Sequence, residues 1–504
     1  MPEIRRWFAD TVNGSIPVDD ICSDLIDTPA FQRLRRIKQL SLMDYVFAGA
    51  EHSRFNHSIG VMYNAVRMAE GLQLSRKEAK EIAVAALLHD IGHYPFSHLG
   101  EWAYQAVEDS LEATNKDDPV AGLDAIPPEN FLWPFGSKPK INKEFHESFG
   151  ARIVTSNKAI AGVLYSKEID PEHIANLIRG SSENVICNQI LHSNLDADRL
   201  DYLVRDSRQS GVTYGHVDKD YLIRMLDRGQ QEFEGIGNRT IVKDVMCINQ
   251  KGIHALEHFV LARYFHYSQV VYHKTVAAFE VLAKALIAQL IRRENGDRPV
   301  GALPRNHMEV EEQAHDDEFL TNRFVDSSIV RLLHKYRDEL RTDKSLHEHS
   351  EDLAHLITCL LERRRPKTIF ERAALIRKGE HDGSEVKKLE ELLKRPGICK
   401  ELADRLGVPV NFVGRYSAAT GLESSYMPIT GEHHDDKGLR DLIRVKVGNT
   451  VKFATQIESS LLSIVNDMSY KVVRVFYVPG PADSALEMSV RERETSEWIA
   501  GEIG

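Results

Sequence analysis

The sequence contains no uncharged apolar run of about 18 residues, the length a helix needs to cross a bilayer, so no membrane span is expected. Its start, MPEIRRWFADTVNG, has no apolar stretch of the kind that directs secretion. Cysteine is scarce: the five residues (Cys22, Cys187, Cys247, Cys359, Cys399) are scattered, odd in number and never arranged as CxxC. That usage points to buried thiols in a reduced, cytoplasmic compartment. Positive charge is in deficit, with 64 Lys and Arg against 75 Asp and Glu and a net charge of −11. A phosphate backbone demands a basic surface, so a nucleic-acid coat is disfavoured, while a local basic pocket for a small polyphosphate stays open. No internal repeat is present.

What remains is an ordinary globular composition, 42% hydrophobic and 28% charged over 504 residues, enough for two to four domains. Helical periodicity dominates. Ile59, Met62, Tyr63, Val66 and Ala69 mark one apolar face, and Lys77 to Leu88 repeats the pattern. Ala255 to Ile291 reads as one long helix or a kinked pair. Strand-like alternation is sparse until LIRVKV (442–447) and YKVVRVFYV (470–478), which read as strands flanking a helix over about 451–464. Residues 112–143, with several Pro and Gly, read as a loop insertion, and 293–318 as a polar linker or mobile insert.

The strongest chemical signal is AALLHDIGHYPFSH, Ala85 to His98. A helix runs into His89 and Asp90 and is stopped by Gly92 and Pro95. Neighbours in a regular helix point about 100° apart, so an adjacent His-Asp pair reaches one ion only where the backbone turns. Upstream, HSRFNHSIG places His57 near the start of another helix. Downstream, NLDADRLDYLVRDS offers Asp196, Asp198, Asp201 and Asp206 on a third. A lone His-Asp dipeptide signifies little; the ordered set on separate helices is what carries weight. Imidazoles with carboxylates suit one divalent ion, Fe, Mn, Zn, Ni or Mg, without choosing among them. Such an ion lowers the pKa of bound water and polarises a phosphoryl oxygen. Asp198, Tyr202 and Asp206 lie on one helix face with Arg199 beside them, and Arg263, Tyr267, Val270 and Lys274 form a second stripe suited to gripping phosphates. Asp201 and Arg205 read instead as an i,i+4 pair on a solvated face.

Six segments carry a resemblance: IDTPAFQRLRRIKQL, HSRFNHSIGV, LLHDIGHYPFSH, FHESFG, DADRLDYLVRD and ARYFHYSQVVYHK, spread from Ile26 to Lys274. The sequence resembles the HD superfamily, and within it the deoxynucleoside triphosphate (dNTP) triphosphohydrolases, the branch of the sterile-alpha-motif-and-HD-domain dNTPase and its bacterial relatives. No sterile-alpha-motif domain is expected, because the matching region begins close to the first residue. The resemblance implies metal ligands at His57, His89, Asp90 and Asp198. It implies cleavage of a dNTP to a deoxynucleoside and inorganic triphosphate. A proton-transfer cluster would comprise His93, His98, Glu101 and His146, with His98 as general acid; Glu101 stands where the family has Asp.

Arg54, Arg199, Tyr202, Arg263 and Lys274 would bind phosphates, Gln39 and Asp206 would lie near the 3′-hydroxyl, and Leu40 would crowd the 2′ position. The family's tyrosine near the base is replaced by Val271, with Tyr267, Tyr272 and His273 close by. Asp27, Gln32 and Arg35 would form part of an activator site for GTP or a dNTP, although DTVNG (Asp10–Gly14) diverges from the family's D-P-I-H-G. A homodimer or homotetramer is the implied vehicle of such activation.

The resulting expectation is a mostly α protein: an HD helical core over 1–292, the insert at 293–318, and a helical and α+β region over 319–504 containing a small C-terminal α+β module. Two other readings compete. One is an HD phosphohydrolase acting on a monophosphate, cyclic nucleotide or oligonucleotide end. The other is a non-catalytic nucleotide-sensing module.

Overall fold

Ser75 opens one of the central helices. Its hydroxyl accepts the Glu78 N–H, and the Glu78 carboxylate accepts the Ser75 N–H in return. The helix so capped, Arg76–Leu88, is buried at every position from Ile82 to Leu88, so its end is held on all sides before the chain reaches His89. The Arg54–Gly71 helix packs along it, and Ala197–Ser210 packs against Arg54–Gly71 in turn. Asp196 caps that third helix by accepting the Arg199 N–H at 2.8 Å, and Gly211, at φ +74°, ends it in the left-handed region.

The computed structural model describes residues 4–114, 145–235, 239–293, 303–344, 349–377, 384–421, 442–465, 468–481 and 485–504. The expected insertion at 112–143 lies outside these residues except for Glu112–Thr114, which end the His98–Thr114 helix. None of the described helices is long and apolar enough to cross a membrane. All five cysteines are buried, and no disulfide joins them.

The fold is mostly helical with small sheets, and it holds more strand than the sequence suggested. Strands β1 (Ile4–Asp10) and β2 (Gly14–Asp19) form an N-terminal hairpin. A four-stranded sheet runs β3-β4-β7-β8, from Leu226–Gly235, Arg239–Asn249, Arg444–Val447 and Thr450–Phe453. A three-stranded antiparallel sheet runs β5-β9-β6, from Lys367–Arg377, Met468–Tyr477 and Val413–Gly421. The second sheet has its own apolar core, where Val473, Val475 and Tyr477 meet Leu389 and Leu393, Leu402 and Ile499 of three helices.

Three expectations need correction. The two C-terminal strands belong to different sheets and do not flank a helix over 451–464. Gly448-Asn449 instead makes a two-residue hairpin turn between Val447 and Thr450, with Gly448 at φ +59°; only Leu462–Val465 is α-helical there. The described part of the polar insert is packed: His307 lies stacked on Phe145 with ring centroids 3.3 Å apart, and the His307 ring shares a 2.7 Å hydrogen bond with the Tyr94 hydroxyl. Of the two readings of Ala255 to Ile291 the kinked pair holds, as Ile253–Phe265 and Lys274–Arg293 joined by a π-helical stretch at His266–Val271. A π turn widens the helix and rotates everything after it. The even stripe expected from Arg263 to Lys274 is therefore not kept: Val270 is buried and Lys274 is exposed.

Candidate metal centre and proton cluster

His57 comes from the first full turn of Arg54–Gly71, His89 and Asp90 from the end of Arg76–Leu88, and Asp198 from the first turn of Ala197–Ser210. Side-chain atoms of His57, His89 and Asp90 lie within 4.8 Å of one another. His57 Nε2 stands 2.9 Å from Asp198 Oδ1 and 3.7 Å from Asp90 Oδ2, and His89 Nε2 is 3.2 Å from Asp90 Oδ1. All four implied ligands therefore converge.

The protonation pattern shows what belongs between them. His89 Nδ1 lies 2.8 Å from the Ala86 carbonyl, which only accepts, so the proton sits on Nδ1 and the Nε2 lone pair is free. His57 Nδ1 is 2.9 Å from Asp201 Oδ2, which fixes the same tautomer. Both buried Nε2 atoms lack any hydrogen bond. Lone pairs facing carboxylate oxygens at this range call for a cation, so the donor set fits a divalent metal. Electrostatics agrees. Burial opposes charge on His57, yet Asp198, Asp201 and Asp90 outweigh it and push its pKa up to about 10, so the site demands positive charge at Nε2, which either a proton or a metal ion in the proton's place supplies. Burial likewise opposes ionisation of Asp90, but Arg54, His89 and His93 hold it well below the usual carboxylate range. Asp198 is brought down to about 2 by His57 and His89 against its own desolvation. The pocket has negative charge in excess.

Beside it lies a second cluster, His93, His98 and His146. Buried Glu101 ties it together, 3.2 Å from Nδ1 of both His98 and His146, and it accepts the His146 N–H at 2.9 Å. The His93 and His146 rings stack 4.2 Å apart, and His93 Nε2 reaches Asp90 Oδ1 at 3.1 Å, which links the clusters. Burial and the neighbouring Arg54 and His146 charges press the His93 pKa well down, so it is neutral. The His98 side chain is half exposed and faces outward from the cluster's anchor. Gly92 makes the assembly sterically feasible: a Cβ there would lie 2.1 Å from the His146 carbonyl oxygen.

The expected substrate residues fall into two groups. Arg54 donates to Asp90 at 2.7 Å and Ser97 at 2.9 Å. Arg199 pairs with Asp196 and the Ser193 carbonyl, Arg263 donates to Asn194 at 3.1 Å, and each keeps a buried Nε without a partner. Tyr202 lies between these cations and His266, and Tyr267 neighbours Tyr272. Gln39 and Asp206 are joined through His52, whose carbonyl accepts the Gln39 N–H and whose ring meets Asp206 at 2.8 Å. Leu40 is buried in the main core. His273 and Lys274 sit past the π turn, with His273 against Phe47.

The three expected activator residues do not form one contact set. Gln32 accepts from Arg35 at 2.8 Å, and Arg35 lies 3.5 Å over the Phe55 ring, while Asp27 pairs with Arg6.

Sequence reasoning missed several residues. Asp201 and Arg205 do pair, but they are buried rather than solvated, and Asp201 holds His57. Arg33 donates to the Ile91 and His93 carbonyls, and Asp326 accepts the Phe96 and Lys38 N–H groups, bracing the Phe96-Ser97 turn, both of whose residues have positive φ. His52, His266 and Tyr214 enclose Asp206. Tyr416 and Tyr470, from the three-stranded sheet, neighbour Tyr272. Arg33, His52, Asp201, Arg205 and His266 lie in the segments that carry the resemblance, but their roles depend on contacts with distant parts of the sequence; Tyr214, Asp326, Tyr416 and Tyr470 lie outside those segments.

Comparison with known proteins agrees with this geometry. The HD domain family profile matches residues 54–206, the segment that supplies all four converging side chains. The chain is similar to the uncharacterized protein YwfO of Bacillus subtilis, 32% identical over 290 residues, 56% of this chain and 55% of that protein. It is similar to the deoxynucleoside triphosphate triphosphohydrolase SAMHD1 of Xenopus laevis, 30% identical over 230 residues, 42% of this chain and 35% of the relative. The chain thus spans about half the length, or less, of these curated relatives. Among solved structures, a hypothetical protein from Aquifex aeolicus matches with a TM-score of 0.61 at 22% identity, over 97% of this chain and 99% of that one. A phosphohydrolase from Bacteroides thetaiotaomicron matches with a TM-score of 0.60 at 23% identity, over 94% and 99%. Those two likenesses establish the fold. The chain carries an HD domain over residues 54–206.

Proposed function

We propose that the protein is a metal-dependent phosphohydrolase that cleaves deoxynucleoside triphosphates to a deoxynucleoside and inorganic triphosphate. The observation that carries this reading is the pair of free Nε2 lone pairs, on His57 and His89, facing Asp90 and Asp198 beside a carboxylate-anchored histidine cluster. Similarity to SAMHD1 over part of the chain supports the substrate class.

His57, His89, Asp90 and Asp198 hold the divalent ion, which supplies an activated water and a Lewis acid for a phosphoryl oxygen. Glu101 accepts only, so it holds a proton on His98 Nδ1 and leaves Nε2 to carry the proton that the departing 5′-oxygen needs. His146, fixed by the same carboxylate, keeps His98 and the neutral His93 in place. Arg54, Arg199 and Arg263 place fixed positive charge where the polyphosphate lies, with Tyr202 among them. Lys274 reaches the outer phosphate, Gln39 and Asp206 meet the 3′-hydroxyl, and Leu40 closes the space a 2′-hydroxyl would need. Tyr267, Tyr272 and His273 line the base. The four-ligand core sits in an N-terminal unit over 1–292. Asp27, Gln32 and Arg35 contribute to a nucleotide activator site in a cytoplasmic homodimer or homotetramer.

The test is metal analysis of protein purified without oxygen, then a dNTP panel with and without GTP, read by product chromatography. Release of inorganic triphosphate with stoichiometric metal supports the reading. Metal-loaded protein inert toward every dNTP under both conditions overturns the substrate assignment.

A further inference from the structure

We infer that Asp10, at the tip of the N-terminal hairpin and outside the matched HD segment, positions the metal ligand His57 through Arg205 and Asp201. Arg205 donates from Nη1 and Nη2 to the two Asp10 carboxylate oxygens at 2.7 and 3.2 Å. Its Nε and Nη2 donate to Asp201 at 2.7 and 3.0 Å. Asp201 Oδ2 in turn accepts the His57 Nδ1–H at 2.9 Å. The Arg205 side chain is 1% exposed, Asp10 6%, and Asp201 and His57 0%. Every link is therefore a charge-assisted hydrogen bond shielded from water, where such bonds are strongest.

Two features show that the series is built in. The Asp10 carboxylate also accepts the N–H groups of Val12 and Asn13 at 3.0 and 2.8 Å, so the hairpin turn itself orients it. On the His57 helix, Gly60 lies so close that an added Cβ would stand 2.0 Å from Asp201 Oδ1 and 2.4 Å from Arg205 Nη2. The helix bearing the ligand thus has a glycine where the supporting pair passes.

The physical consequence has a sign. Arg205 divides its charge between two carboxylates. Removing the charge of Asp10 turns the guanidinium fully on Asp201, which then holds the His57 proton less strongly. The imidazole becomes a weaker donor at Nε2, and its orientation loosens. If Asp10 only anchored the hairpin, its loss would lower stability and leave metal affinity alone. The inference rests on the four-ligand metal reading above, and its readout is metal binding, independent of any substrate.

Metal-free full-length protein is titrated with Mn²⁺ by calorimetry. For Asp201→Asn the dissociation constant is expected to rise about 10–100-fold, the range typical of supports behind a ligating histidine. For Asp10→Asn a rise of about 3–10-fold is expected, toward the lower end of that range because one residue intervenes. The double variant binds no more weakly than Asp201→Asn alone, since both act on one linkage. Arg205→Lys, which keeps the charge but not the fork, provides the same reading if Asp10→Asn does not fold. Asp19→Ala, which removes the cap of the helix after β2 without touching the series, leaves Mn²⁺ affinity unchanged. An Asp10→Asn affinity within about twofold of wild type overturns the inference, as do additive losses in the double variant or equal weakening by Asp19→Ala. Absence of Mn²⁺ binding by the wild-type protein overturns both this inference and the metal reading.

Discussion

The HD segment and the C-terminal sheet region treat charge in opposite ways. In the first, the Arg54–Asp90 pair is 6% and 4% exposed, and the His57–Asp201 pair is wholly buried. In the second, most ion pairs lie at the surface, as with Arg395–Glu401 and Arg372–Glu385, around a core of aliphatic and aromatic side chains. Arg474 with Glu371 and Lys471 with Glu390 are partly buried instead. Taking ions out of water costs several kcal/mol each, so neutral packing is the cheaper way to make a stable core. A region that keeps so many ionisable groups inside is arranged for chemistry, and its stability depends on every partner being present.

That contrast predicts a graded set of outcomes. The largest effect belongs to the four converging ligands: His89→Ala or Asp90→Ala abolishes stoichiometric metal in elemental analysis and lowers kcat by about 10³-fold or more, as expected when an ion's Lewis acidity is removed. Retention of both metal and turnover would break the comparison at its root. Next comes His98→Asn, expected to lower kcat by about 10²–10⁴-fold with metal content unchanged, the size of a lost general acid. Arg263→Ala, which removes a charge-assisted contact on a phosphate, raises KM by about tenfold or more with little change in melting temperature.

A smaller effect tests burial outside the site. Desolvation alone pushes the Glu280 carboxyl up to about 8 from an ordinary value of 4.5. The folded state therefore carries a penalty that is absent below pH 4.5 and grows as pH rises toward 8, where unfolding would release the group to ionise. Glu280→Gln is expected to raise the melting temperature at pH 8 and change it little at pH 4.5; equal shifts at both would sink the assignment. The smallest effect is at the C-terminal surface. Lys344→Ala breaks an exposed pair with Glu351 and should leave the melting temperature unchanged by calorimetry.

His57 and the His89-Asp90 pair were legible as candidate ligands because their signals are local, a histidine opening one helix and an adjacent His-Asp at the end of another; the choice of Asp198 among Asp196, Asp198, Asp201 and Asp206 came from the family resemblance. The grouping of His93, His98, Glu101 and His146 came through the family resemblance of LLHDIGHYPFSH and FHESFG, because spacing alone does not bring His146 to Glu101. The supports were not legible. Arg205 looked like a surface partner of Asp201 because i,i+4 spacing is the same whether a helix face meets water or protein; only contact with Asp10 and His57 decides it. Asp326 reaches back to Lys38 and Phe96 across most of the chain. Strand β3 escaped because LDRGQQEFEG is largely polar, and β4 because the apolar residues of RTIVKDVMCIN come in consecutive runs, Ile241-Val242 and Val245 to Ile248, rather than in alternation. The Gly448-Asn449 turn did carry a hairpin signal, and the flanking VKV and TVKF should have been paired across it. The π turn at 266–271 has no local signature, which is why the stripe from Arg263 to Lys274 looked continuous.

The single carboxylate of Glu101 grips both His98, which opens the His98–Thr114 helix, and His146, in the first turn of Phe145–Ser156. The intimate fit of Gly92 against the His146 carbonyl fastens the returning helix a second time. One side chain therefore sets the register of two helices, so a change at Glu101 is felt by His98 and His146 together.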